Sequence, residues 1–174
     1  PDWVRDPDHP ALRAAKAQGW PSKPVRLNIE TKIRPDKPDE TADAETFARA
    51  VVAAVRAARL EARVTIQSFD WRTLVIAKRL APEIETACLT IETDRTNNVR
   101  PIDGKASAWT DGLDLAAHGG SVAKLAKAAG CETWSMFWRN ATAEAITAAH
   151  ALDLKVIPWT VNEPAEMARL IDMK

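Results

Sequence analysis

The chain has 174 residues, with 24 basic and 24 acidic side chains that leave no formal net charge. Hydrophobic residues make up 46% and charged residues 28%, the balance of one soluble domain, residues 1–174, with a core of ordinary size. No basic stripe calls for nucleic acid, no apolar run approaches the ~20 residues that span a bilayer, and no signal-peptide pattern is present.

Residues 1–24 are the least defined part. Pro10 to Gln18 reads as a helix with proline in its first turn and Gly19 ending it, followed by the connector Trp20-Pro21-Ser22-Lys23-Pro24. The first strand is expected over Val25–Ile33, before the breaker Pro35-Asp36-Lys37-Pro38. Asp43 is placed to cap a helix over Ala44–Arg59, whose stripe is Phe47, Val51, Val55 and Ala58. Strand two runs Arg63–Phe69, a helix follows over Arg72–Leu80, and strand three covers Glu85–Ile91. Residues 93–120 are long, polar and glycine-bearing, the character of a functional or mobile loop. Ser121 caps a helix to Ala129 and Gly130 closes it. Strand four is Thr133–Trp138, Thr142 caps a helix to Leu152, and strand five is Lys155–Val161. Asn162 is read as the cap of the last helix, with Pro164 in its first turn. Five β–α alternations predict a parallel sheet, in a barrel or a doubly wound fold. No glycine-rich turn follows a strand, so a Rossmann nucleotide site is unsupported. Cys88 and Cys131 suggest neither a disulfide framework nor a zinc site, and Cys88, in a strand-like run, reads as a buried free thiol.

The stretch Asn28-Ile29-Glu30-Thr31-Lys32 concentrates the chemistry. Asn28, Glu30 and Lys32 share one strand face and Leu27, Ile29 and Ile33 the other. Both faces look meant for burial, and a buried carboxylate and ammonium need a partner or a ligand. Glu30 is therefore either half of a Glu–Lys pair or a metal-binding carboxylate beside an anion-binding Lys32. A carboxylate of that kind suits a hard cation such as Mg2+ or Ca2+. Gln67 shares its strand face with Thr65 and Phe69. It either bonds a substrate or metal-bound water, or is a satisfied inward polar residue. Asp70 is first of all a helix cap. Trp159, on the face of Ile157 and Val161, either packs the core or walls a pocket for an alcohol. Which of Trp134, Phe137 and Trp138 reaches the site stays open.

Asn28-Ile29-Glu30-Thr31-Lys32, then Gln67-Ser68-Phe69-Asp70-Trp71, then Trp159-Thr160-Val161-Asn162 together resemble the glycerophosphodiester phosphodiesterase family, over Val25 to Met173. The resemblance implies the last five of the eight strands of a (β/α)8 barrel, a fold that takes roughly 250 residues when complete. The chain is accordingly expected to be part of a longer protein, or an incomplete barrel prone to self-association. The resemblance further implies a phosphoric diester hydrolase of glycerol and lipid metabolism. Its reaction is metal-assisted acid–base cleavage of a glycerophosphodiester to glycerol 3-phosphate and an alcohol. Glu30 would be one of three carboxylate ligands. Lys32, Gln67, Phe69 and Trp159 would face the substrate. The family's catalytic histidines, in His-Arg and His-Asp motifs, have no match in His9, His118 or His150, so no catalytic residue is assigned. Two alternatives remain: a non-catalytic binding or assembly module, and a related phospholipase-type phosphodiesterase.

Overall fold

The computed structural model describes residues 6, 8–19 and 25–173. The expected connector at residues 20–24 lies outside the described residues. Helix α1 spans Pro10–Ala17. The remaining elements alternate as expected. They are β1 (Leu27–Glu30), α2 (Ala44–Ala57), β2 (Val64–Ser68), α3 (Trp71–Leu80), β3 (Glu85–Thr90) and α4 (Val122–Ala128). Then come β4 (Thr133–Met136), α5 (Ala143–His150), β5 (Lys155–Val156) and α6 (Pro164–Asp172). The strands form one parallel sheet in the order β1-β2-β3-β4-β5. This is an α/β fold, a partial (β/α)8 barrel.

Each strand is shorter than the sequence predicts, although single sheet bonds continue past its end, as from Thr31 N to Gln67 O at 2.9 Å and from Phe137 N to Thr90 O at 2.8 Å. The difference is largest at the end of the chain. β5 keeps only Lys155–Val156, and Trp159 is joined to the sheet by an isolated parallel bridge to Phe137. Nor are both faces of the first strand buried. Thr31 and Ile33 are, at 2% and 4% exposure, whereas Lys32 stands in solvent.

Caps follow the short polar side chains. Asp43 accepts from Thr46 N at 2.9 Å, Asp70 from Arg72 N at 3.2 Å and Thr142 from Ala145 N at 3.1 Å. Asn162 does not cap α6. That position falls to Glu163, without a side-chain bond, because Pro164 already supplies a first residue that needs no N–H partner. Gly130, at φ +83°, closes α4: its N–H reaches Lys127 O, and Cys131 N reaches back to Ala126 O at 3.2 Å. The buried stripe of α2 is Ala48, Val52 and Val55; Val55 is as predicted, while Phe47, Val51 and Ala58 lie at its margin and are half-buried.

The core lies between the sheet's outer face and the helices. Val64, Ile66, Cys88, Trp134 and Met136 from the strands meet Trp71, Leu74, Leu125, Ile146 and Ala149 from the helices. Cys88 is not a free thiol. It is bonded to Cys131, their Cα atoms 5.9 Å apart. A pair 43 residues apart in sequence gives no spacing signal; parallel pairing of β3 with β4 brings the two together.

The sheet is strongly curled. On its inner face Glu85 of β3 accepts from Arg26, beside β1, at 2.9 Å and from Lys155 of β5 at 2.7 Å. One carboxylate thus ties the first, third and fifth strands. Lys155, chiefly through this hydrogen bond, holds the Glu85 carboxyl below its ordinary value.

Candidate active site

The register of β1 and β2 sets Glu30 directly beside Gln67, and Asn28 beside Thr65. Because alternate residues share a face, Asn28, Glu30, Thr65 and Gln67 all look onto the concave side. Asn28 Nδ2 donates to Gln67 Oε1 at 2.7 Å. That bond turns the Gln67 carbonyl toward Asn28 and leaves its amide N–H groups available as donors. Glu30 Oε1 lies 3.3 Å from Lys32 Nζ, with the Glu30 side chain 24% exposed and Lys32 79%. The Glu–Lys pair is therefore formed, but across an open surface. Such a pair contributes little to stability, so both groups stay free to meet a ligand.

Beyond the strand ends stands an aromatic wall. The Phe69 ring meets Trp159 edge-on, centroids 5.4 Å apart, and Trp159 meets Phe137 at 5.6 Å. β2 and β5 are three strand spacings apart, about 14 Å in a flat sheet. Contact between Phe69 and Trp159 is thus a consequence of curling. Trp159 is held by its Nε1–H to Ser135 O (3.0 Å), its N–H to Met136 O (3.0 Å) and its carbonyl, which accepts from Trp138 N (2.8 Å). Of the three aromatics of β4 and its exit, Phe137 belongs to the wall. Trp134 is buried in the core, its Nε1–H donating to Thr90, and Trp138 lies further out beneath Arg139. Alternation contained that signal: Thr133, Ser135 and Phe137 share the inner face.

Glu30 and Gln67 come together as adjacent strand-end residues, with Lys32 at hand. Phe69 and Trp159 come together in the wall, and Phe69 follows Gln67 on the same face. His118 turns Nδ1 to Asp114 O at 2.7 Å inside its own loop turn, and His150 is exposed at the end of α5. Among the described residues, no group of three or more His, Cys, Asp or Glu could hold a metal ion.

Glu92, two residues beyond β3, has its backbone bound on both sides by the Asn140 amide, at 3.0 and 2.8 Å. Its carboxyl is half-buried and desolvation raises its pKa above the ordinary 4.5. Between those two values the folded state binds more protons than the unfolded one, so stability falls as pH rises through that interval. Glu92→Gln is expected to be more stable than the parent at neutral pH and no more stable below about pH 4. Urea midpoints across pH check this; parallel curves for the two proteins would contradict it.

A sequence model of the "Glycerophosphoryl diester phosphodiesterase family" matches residues 11–174. The chain belongs to this family. Among solved structures it is similar to a candidate glycerophosphoryl diester phosphodiesterase from Silicibacter pomeroyi, at 28% identity and TM-score 0.67, covering 94% of this chain and 48% of that one. It is also similar to a glycerophosphodiester phosphodiesterase from Parabacteroides distasonis, at 18% identity and TM-score 0.59, covering 93% and 55%. A third is a phosphodiesterase from Oleispira antarctica in complex with the product sn-glycerol-3-phosphate, at 17% identity and TM-score 0.55, covering 94% and 52%. The chain therefore spans about half the length of the structures it matches. Comparison with curated proteins found no match. The family relation accounts for the barrel architecture, and in such barrels the catalytic end is the one at the carboxyl ends of the strands.

Proposed function

We propose that this chain forms the substrate-holding half of a phosphodiesterase that cleaves glycerophosphodiesters to glycerol 3-phosphate and an alcohol. The observation that carries the reading is the adjacency of Glu30 and Gln67 at the strand ends, with Lys32 within 3.3 Å of Glu30, in a chain of this family. A product complex of sn-glycerol-3-phosphate in the Oleispira protein agrees with that substrate class.

Each side chain has a task that its position supports. Lys32, exposed and 3.3 Å from Glu30, neutralises a phosphoryl oxygen as a point charge. Gln67, its carbonyl turned to Asn28, offers N–H to a substrate oxygen. Phe69, Phe137 and Trp159 present apolar surface to the carbon skeleton of the alcohol and keep water from it. Glu30 is a hard oxygen donor of the kind Mg2+ or Ca2+ takes. Among the described residues it has no company that completes a metal site. A divalent cation in this reading draws its other ligands from elsewhere, and would supply Lewis-acid stabilisation of the phosphoryl group.

The test is the protein in a form with a complete barrel, assayed on glycerophosphodiesters. Glu30→Gln is expected to lower kcat/KM by about 10²-fold, the scale for losing one electrostatic stabiliser. The variant should also need more divalent cation. Identical cation dependence in variant and parent would remove Glu30 from the site.

A further inference from the structure

We infer that Asn98, in the long connection between β3 and α4, is a positioning residue for the substrate-facing aromatic wall. The inference rests on the reading of Phe69, Phe137 and Trp159 given above. Two members of that wall are held by the sheet itself: Phe137 N–H bonds Thr90 O at 2.8 Å, and Trp159 bonds the backbone of β4 and its exit. Phe69 lies past the end of β2, and its carbonyl accepts from Asn98 Nδ2 at 3.3 Å.

Asn98 is 4% exposed and uses its whole amide. Nδ2 also donates to Leu89 O at 3.1 Å, and Oδ1 accepts from Ile91 N at 2.9 Å. The residue's own N–H bonds Ile91 O at 3.2 Å, and its carbonyl accepts from the buried Ser107 hydroxyl at 2.7 Å. One side chain therefore clamps the exits of β2 and β3, while Ser107 ties that clamp to the rest of the connection. No other amino acid of that size offers two donors and an acceptor in one plane. Residues 91–121 thus act at this point as a strut that sets where the Phe69 ring meets Trp159.

The experiment uses the chain labelled with 5-fluorotryptophan and read by 19F NMR, with the Trp159 resonance assigned from Trp159→Phe. Asn98→Ala and Asn98→Ser are each expected to move the Trp159 resonance by more than its linewidth. Ser107→Ala, which cuts the strut's outer tie and leaves both Nδ2 bonds, is expected to leave it in place while lowering stability. That contrast separates positioning from a general loss of packing. An unmoved Trp159 resonance in the Asn98 variants, or an equal displacement in Ser107→Ala, overturns the proposal. Should Asn98→Ala fail to fold, Asn98→Ser retains a hydroxyl in the cavity and carries the comparison. The resonance is read without ligand, so it stands apart from the proposed activity. Titration of the parent with sn-glycerol 3-phosphate tests that activity's substrate class, and failure there leaves the Asn98 result intact.

Discussion

Replacing both Cys88 and Cys131 by alanine is expected to lower the stability of the oxidised protein by about 4 kcal/mol, the chain-entropy value for a loop of this length. The bridge closes 43 residues, a segment that includes the whole β3–α4 connection. Without it the unfolded chain regains that loop's freedom, while the folded chain loses a covalent tie between β3 and the entry to β4. For a chain of this size the loss corresponds to a fall in Tm of about 10 °C. Both sulfurs are covered, Cys88 at 0% and Cys131 at 3% exposure, so reductant acts only after local opening. Urea midpoints of parent and double variant, with intact mass to count free thiols, check this. Equal midpoints, or two alkylatable thiols in protein made under oxidising conditions, would show that the bridge is not part of the working fold. Disulfides persist in oxidising surroundings, so production in a reducing cytosol is expected to give the less stable form.

The second large effect concerns turnover. The chain Pro1–Lys174, purified alone and given glycerophosphocholine with Mg2+ or Ca2+, is expected to show no measurable hydrolysis. Among the described residues, Glu30 has no group of carboxylates or histidines around it that could hold a metal ion. His118 is engaged in its own loop turn and His150 lies at the far end of α5. Loss of a single acid–base group costs a factor of about 10² to 10⁴, and an incomplete metal site removes Lewis-acid assistance as well. Steady turnover by the monomer would overturn the division of labour proposed here. Binding of sn-glycerol 3-phosphate without turnover would support it, and would be weakened by Lys32→Ala. β1 and β5 are sheet edges, and Ile157 is 52% exposed. Self-association of the isolated chain is the expected response of such edges, and sedimentation at two concentrations would reveal it.

Much of this protein is legible in one dimension. Alternation along Leu27–Glu30 and Val64–Ser68 separates an inner polar face from an outer apolar one, because side chains on a strand point to opposite sides. Asp43, Asp70 and Thr142 announce the helices they cap, since the capping bond is made within three residues. The order of the Asn28–Lys32, Gln67–Trp71 and Trp159–Asn162 motifs gave the family, and the family gave the barrel. Asn162 misled because a proline after it removes the need for a capping side chain.

What the tertiary structure decided is everything that depends on curvature and register. The Cys88–Cys131 bond joins residues with no spacing relation. It exists because β3 and β4 pair in parallel, which brings Cys88 and Cys131 to the core side. Phe69 meets Trp159 because three strand pairings accumulate into a curl that closes a flat-sheet gap of about 14 Å to ring contact. Asn98 sits in a run that reads only as loop, yet it binds two strand exits at once. Local sequence determines which face a residue occupies. Which residues meet across that face is set by the sum of many pairings, and no single segment of this chain encodes that sum.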